Sequence, residues 1–302
     1  VSFTQRAKNE IMENRALRSR FKNQQSYGLL LFGRSFGPGS VTLATRQREV
    51  ARYYAAAITR AVPLAGTITT REDTAGGQSA YRVRVDAAAD RRGLLNRFAM
   101  LYPEGVTYEL LGGDEGAGAF VGGAFLSCGS LADPEKKYHL EFAPPRPETA
   151  AILAGVLGEV GFLPKTSERR GLPIIYTHDS GQIEDLLTFI SCPLTSMEIM
   201  ETKILKERRN AANRAANCDN ANIDKVVGAA EGQIRDIRLL MGEQGLTALP
   251  EELRELARLR LENPEASLRE LGARLGLSRS GVNHRLQKLA QLAAPLRAGE
   301  EG

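Results

Sequence analysis

Cysteine is scarce: Cys128, Cys192 and Cys218 are the only three in a chain of 302 residues. The number is odd and no two stand in C-x-x-C spacing. That argues against a disulfide framework and a zinc site, and fits a reducing cytosol. Histidine is equally thin. His139, His178 and His284 lie far apart, and none belongs to an H-E-x-x-H pair, so no metal site is readable and no cofactor is expected. No apolar run is long enough to span a bilayer. The opening residues, Val1 to Arg6, start a polar helix rather than the apolar core of a signal peptide. A cytoplasmic, soluble protein is the expectation. Charge of one sign does not dominate either: 40 Lys+Arg stand against 36 Asp+Glu, a net +4. Such a balance permits a nucleic-acid partner without demanding one.

What is present is a repeated order of elements. A polar helix is predicted from about Thr4 to Asn23, then an apolar segment from Tyr27 to Gly33, then a break at Gly37-Pro38-Gly39. Val41, Leu43 and Thr45 alternate as a strand does, and Arg48 to Ala61 has helical spacing through Val50, Tyr54 and Ile58. Thr67–Arg71 and Ala80–Val85 flank Asp73-Thr74-Ala75-Gly76-Gly77, a hairpin signal, and a helix runs from about Asp90 to Leu101. The order then returns: a helix to Cys128, a turn at Ala132–Glu135, a strand at Lys137–Phe142, a helix at Pro147–Val160, strands at Lys165–Arg170 and Ile174–His178 around Gly171, and a helix at Gln182–Ile190. An internal duplication is expected, with repeats of about 1–105 and 106–192. The apolar positions Tyr27, Phe32, Phe120 and Phe125 are read as core. Arg82 and Arg84 alternate with Tyr81, Val83 and Val85 and either line a DNA-facing sheet or form an ordinary exposed strand face.

From Pro193 strand signals stop. Thr195-x-x-Glu198 reads as a capping box opening a long helix with a thin apolar stripe at Met197, Met200 and Ile204. Its cations Lys203, Lys206, Arg208, Arg209 and Arg214 are candidates for a secondary DNA contact, beside the plainer reading of a solvated face. Asn217 to Asn222 is expected to interrupt it, making 193–222 a linker helix plus hinge. Residues 223–302 then form an all-α domain. Its first helix shows Ile223, Val227, Ala230, Ile234, Ile237 and Met241 at helical spacing. A helix after Pro250 turns Leu253, Leu256, Ala257 and Leu261 inward.

The segment that carries chemistry follows. Ser267-Leu268-Arg269-Glu270 is a second capping box, Gly276-Leu277-Ser278 makes a turn, and Ser278 is placed to cap a helix of Arg279 to Leu292. With Val282, Leu286 and Leu289 inward, the outer face carries donors and no acid. This is a helix-turn-helix pattern, and the expected DNA-binding residues are Ser278, Arg279, Ser280, Asn283, His284, Arg285 and Lys288. Arginine suits guanine and asparagine suits adenine in the major groove, while Arg285 and Lys288 are assigned to phosphates.

Several segments resemble the WhiA family of sporulation regulators. They are Asn213-Arg214-Ala215-Ala216-Asn217-Cys218-Asp219-Asn220-Ala221-Asn222, Leu249-Pro250-Glu251-Glu252-Leu253 and Ser280-Gly281-Val282-Asn283-His284-Arg285-Leu286. Upstream, Gly123-Ala124-Phe125-Leu126-Ser127, Asp133-Pro134-Glu135-Lys136 and Tyr138-His139-Leu140-Glu141 match the same family. The resemblance implies an α+β fold: a duplicated LAGLIDADG homing-endonuclease-like domain followed by an all-α helix-turn-helix domain. It implies roles in transcription control, cell division and chromosome segregation, double-stranded DNA as partner, RNA polymerase or a sigma factor as a further partner, and association with the nucleoid. It also implies that Gly28 and Gly122-Gly123 let two motif helices approach. In the nucleases the last acid of each motif helix binds the catalytic metal. Cys128 stands at that place here, and Gly33 corresponds in the first repeat, so a non-enzymatic regulator is expected. Asp114 and Asp133 are the nearby acids and are read as helix-end and turn residues. An architectural or ligand-sensing nucleoid protein is the alternative, and an active nuclease a further one.

Overall fold

Ser2 accepts a hydrogen bond from the Gln5 amide, and Phe3, Ala7 and Ile11 share one buried stripe, so α1 (Phe3–Glu13) forms as an amphipathic helix. The computed structural model describes residues 2–14, 19–75, 78–243 and 245–300. Asn14 takes extended backbone and ends α1, and a separate helix, α2 (Lys22–Leu31), follows. The single helix expected from Thr4 to Asn23 is therefore divided. Its apolar successor, Tyr27 to Leu31, belongs to α2.

After α2 the first repeat continues with β1 (Ser35–Phe36), β2 (Val41–Thr45), α3 (Arg48–Ala61), β3 (Ile68–Ala75), β4 (Gln78–Val85) and α4 (Ala88–Leu101). The predicted hairpin turn at Gly76-Gly77 lies outside the described residues. A short helix, α5 (Tyr108–Leu111), leads to the second repeat: α6 (Asp114–Cys128), β5 (Gly129–Leu131), β6 (Leu140–Phe142), α7 (Pro147–Glu159), β7 (Lys165–Arg169), β8 (Leu172–Thr177) and α8 (Ser180–Phe189). The two antiparallel sheets have the same strand order, β1-β2-β4-β3 and β5-β6-β8-β7. The duplication is thus a matter of topology. Arg170 and Gly171 both have positive φ and close the β7–β8 hairpin in two residues, the geometry that matches strand twist.

Helices α2 and α6 pack against each other at the centre of this unit. A Cβ on Gly28 would run into the Phe120 carbonyl, and one on Gly123 would lie 2.7 Å from the Leu29 nitrogen. Backbone touches backbone there, which only glycine allows. Gly122 is not part of this contact; it faces Ile190 beyond α8, with ordinary spacing. Phe32, Phe120 and Phe125 are buried in the core shared by both repeats, with Tyr27 half-buried and stacked on Phe98 and Tyr102 at 4.6 and 4.8 Å.

The remaining long helix, α9 (Pro193–Glu243), is helical throughout. Asn217 to Asn222 does not interrupt it, contrary to expectation. Its start is not closed by the Thr195/Glu198 box. Glu10 of α1 accepts from the Leu194 and Thr195 amides, at 2.7 and 3.0 Å, and from the Thr195 hydroxyl. Glu198 pairs with Arg6 at 2.6 Å instead. Met197, Met200 and Ile204 are exposed, and Ile199 is the buried apolar residue of that stretch. The chain divides into two units, Val1–Lys206 and Glu207–Gly302, at a point within α9.

In the second unit, α9 contributes Ala230, Ile237 and Leu240 to burial; Val227 and Met241 are exposed and Ile223 lies outside the residues with described side chains. A 3-10 turn (Leu246–Ala248) leads to α10 (Glu251–Glu262), α11 (Leu268–Leu275) and α12 (Arg279–Glu300). Leu253, Leu256, Ala257, Leu271, Val282, Leu286 and Leu289 join Ile237 and Leu240 in one cluster, whereas Leu261 is only partly buried.

Candidate nucleic-acid interface

The α11–turn–α12 pair is assembled by local rules. Ser267 accepts from the Glu270 amide, and the Glu270 carboxylate accepts from the Ser267 amide at 2.7 Å. Those Ser267 hydrogen bonds hold the Glu270 carboxyl below its ordinary range. Gly276 ends α11 in left-handed backbone, φ 65° and ψ 28°. Leu277 then donates back to the Gly272 carbonyl at 2.8 Å. A Cβ on Gly272 would lie 2.5 Å from the Leu277 oxygen, so this glycine sets how closely the turn folds onto α11. Ser278 opens α12: its Oγ accepts from the Gly281 amide at 3.1 Å.

With Val282, Leu286 and Leu289 buried, Arg279, Ser280, Asn283, His284 and Lys288 are all exposed. Ser278 is exposed as well, though its Oγ is already occupied as the cap. Arg285 differs from expectation. It is half-buried on the flank of α12 and pairs with Glu252 of α10 at 3.3 Å. The face is therefore acid-free at its centre but not at its edge. Glu252 is largely exposed, so the pair is weak and open to exchange.

The same unit holds a buried residue that the sequence pattern did not disclose. Arg260, at an inward position of α10, is 2% exposed. Its guanidinium donates to Gln233 Oε1 of α9 at 2.9 Å and to the Ala266 carbonyl at 2.6 Å. One side chain thus ties α9, α10 and the loop before α11. An arginine between Ala257 and Leu261 reads as surface in any pattern count, and only the burial reveals it.

The cations of α9 are not equivalent. Lys206 donates to the Pro134 carbonyl at 2.5 Å and lies over the Tyr138 ring, and Lys203 stands 3.8 Å from Glu184. Both are engaged within the first unit. Arg208, Arg209 and Arg214 are exposed. On the first sheet Val83 and Val85 are buried while Arg82 and Arg84 point out, paired with Asp73 at 3.1 Å and Asp86 at 3.5 Å. On the second sheet Glu141 is buried, accepting both guanidinium bonds of Arg169 and lying 3.1 Å from His139.

Gly33 and Cys128, the two positions expected from the family resemblance to correspond to nuclease acids, line one pocket at the ends of α2 and α6. A Cβ on Gly33 would lie 2.8 Å from the Thr42 oxygen, leaving no space for a longer side chain. Burial pushes the Cys128 thiol up to about 12, so it is neutral and a poor ligand. The Lys8 ammonium occupies the same pocket and donates to the Leu126 carbonyl at 2.9 Å. These donors do not fit a hard divalent cation, which takes oxygen anions. Asp114 begins α6 and accepts from the Tyr108 hydroxyl, and Asp133 accepts from the Glu135 amide in a turn; neither lines the pocket. Among the described residues no group of three or more His, Cys, Asp or Glu is placed to hold a metal ion, and no helix is long and apolar enough to cross a membrane.

Residues 117–209 match the model of the WhiA LAGLIDADG-like domain, and residues 212–293 match that of the WhiA C-terminal HTH domain. The chain belongs to the WhiA family. Among curated WhiA relatives, a probable cell division protein WhiA from Clostridium botulinum (strain Eklund 17B / Type B) is 42% identical over 188 residues, which is 62% of this chain and 60% of that protein. One from Clostridium perfringens (strain SM101 / Type A) is 43% identical over 183 residues, 60% of this chain and 58% of that protein. The matched stretch thus spans about three fifths of these WhiA relatives. The crystal structure of full-length WhiA from Thermatoga maritima shares the fold, with a TM-score of 0.55 at 22% identity over 98% of this chain and 99% of that one. The WhiA family models place a LAGLIDADG-like domain before a helix-turn-helix domain, the order seen here.

Proposed function

We propose that this chain is a non-enzymatic DNA-binding transcription regulator that acts in cell division, chromosome segregation or sporulation. The observation that carries the reading is the exposed donor face of α12, set on a turn capped at Ser267, Gly276 and Ser278. Arg279, Ser280, Asn283 and His284 are assigned to base edges in the major groove, and Lys288 to phosphate. Arg285 joins the phosphate contacts by exchanging Glu252 for a backbone oxygen. Arg208, Arg209 and Arg214 are the α9 cations left for a secondary contact. The link to cell division rests on the names of the Clostridium relatives, and a partnership with RNA polymerase or a sigma factor on family likeness.

The reading is tested by selecting bound duplexes from a random pool and measuring their affinity, against unselected duplex, over a salt series. A regulator keeps an affinity ratio well above unity as salt rises, because base contacts survive when counterion release weakens. Equal affinity for all sequences at every salt favours an architectural nucleoid protein instead. Incubation of plasmid with magnesium or manganese should leave it intact. Reproducible cleavage lost on changing nearby acids overturns the non-enzymatic reading.

A further inference from the structure

The pocket between the ends of α2 and α6 is unsuited to a metal ion. Its chemistry is the reverse of what a metal site needs. The pocket is about 430 Å³, and among the described residues its lining includes Lys8, Arg34 and Arg46 and no carboxylate. Arg34 and Arg46 are exposed at its mouth, and Lys8 is 6% exposed at its floor. We propose that this pocket is a phosphate-binding site, with the Lys8 ammonium at its floor and the two arginines closing on the phosphate oxygens.

Three observations support the assignment. First, a buried ammonium needs compensation. Its hydrogen bond goes to the neutral Leu126 carbonyl, at the C-terminal end of α6. The helix dipole favours a cation there but does not neutralise it. Burial lowers the Lys8 ammonium to about 8, which still leaves it charged at neutral pH. The Phe125 ring, 5.8 Å from the ammonium, adds a cation–π contact but no countercharge, and an anion in the pocket supplies it. Second, the donor set is a compact ammonium with two planar forks, the combination suited to a tetrahedral oxyanion. Third, the pocket adjoins a hollow with an excess of cations. Arg34 also lines this hollow of about 350 Å³ on the first sheet with Arg71, Arg82 and Arg84, against Asp73 and Asp86, which pair with Arg82 and Arg84. Arg34 shared between the two hollows suits consecutive phosphates of one backbone, so a DNA phosphodiester is the favoured source, and a free phosphate compound is the other. The phosphate site itself stands without the DNA-binding reading; only the choice of source rests on it.

The test uses the full chain and inorganic phosphate as the probe, with no DNA present, so that failure of the helix-turn-helix reading cannot affect it. Calorimetric titration of the wild type should saturate. Lys8→Met should weaken phosphate binding at least tenfold, and Arg34→Ala with Arg46→Ala should weaken it several-fold. Both arginines are exposed, so the double variant decides the matter if Lys8→Met fails to fold. A wild type that never saturates, or variants that bind as the wild type does, overturns the proposal. Competition then distinguishes the sources. Unselected duplex that displaces phosphate from the wild type supports the backbone source. Displacement by a mononucleotide but not by duplex supports the site with a free phosphate compound as its ligand.

Discussion

Replacing Gly123 by alanine should separate the two helices on which the larger unit is built. The added Cβ would collide with the Gln25 carbonyl and lie 2.7 Å from the Leu29 nitrogen, and neither backbone atom can rotate away as a side-chain tip can. Relief requires α2 and α6 to part by roughly 1 Å, which strips contact from the ring and methyl groups on both sides. Overpacking of a tight core costs typically about 1–3 kcal/mol, and a backbone-on-backbone collision belongs at or above the top of that range. For a unit of this size about 3 kcal/mol corresponds to a fall of roughly 6–12 °C in Tm. Gly155→Ala is the control. Gly155 lies in α7 with nothing within 4 Å of its added Cβ, so the substitution should gain about 0.5–1 kcal/mol from helix propensity. Urea and thermal melts followed by circular dichroism read both. A Gly123→Ala protein as stable as the wild type, with Gly155→Ala behaving as stated, refutes the packing argument.

Two further expectations concern buried cations. Arg260→Met should destabilise the second unit by about 2–4 kcal/mol, because the Ala266 carbonyl and Gln233 Oε1 lose a charged donor, and urea unfolding of that transition measures it; a cost under about 1 kcal/mol would contradict the role assigned to Arg260. Lys8 has a folded value lowered to about 8 from 10.5, so the unfolded chain binds more protons between these values and wild-type stability from this group rises with pH across that window. The stability of Lys8→Met relative to the wild type should accordingly be highest below pH 8 and fall towards pH 10, as denaturant midpoints at several pH values will show; a difference that moves the other way with pH would contradict the burial argument.

The helix-turn-helix was legible because its signals are local. Ser267 with Glu270, Gly276 and Ser278 sit within a few residues of what they cap, and the period of Val282, Leu286 and Leu289 fixes the inner face of α12. The duplication was legible as element order, though the helix begun near Thr4 ends at Glu13 rather than Asn23, and the apolar segment from Tyr27 belongs to a helix that starts at Lys22. What escaped notice depends on partners distant in sequence. Glu10 caps α9 from 184 residues away, a contact that a nearby Thr-x-x-Glu pattern disguised. Met197, Met200 and Ile204 have the spacing of a buried stripe, yet Glu10 and Arg6 turn α9 so that Ile199 is inside. Asn217 to Asn222 reads as a breaker by composition, but continuing a formed helix costs far less than starting one. Arg285 has the sequence context of a phosphate ligand, and only the packing of α10 against α12 brings Glu252 to it. Gly33 and Cys128, set in correspondence by family likeness, line one pocket, whereas Lys8, some 120 residues from Cys128 in sequence, gave no sign that it shares that pocket.

The central claim is that the exposed face of α12 reads DNA sequence, and base-by-base affinity measurement on two variants tests it most directly. Duplexes carrying every single base-pair change in a selected site would be titrated with the wild type, Asn283→Ala and Lys288→Ala. The account predicts that Asn283→Ala flattens the preference at one base pair by about 1–3 kcal/mol and leaves the others intact. Lys288→Ala should weaken all duplexes alike and lower the salt slope by about one. Unchanged affinities and preferences in both variants would contradict the account and move the reading of sequence to another surface.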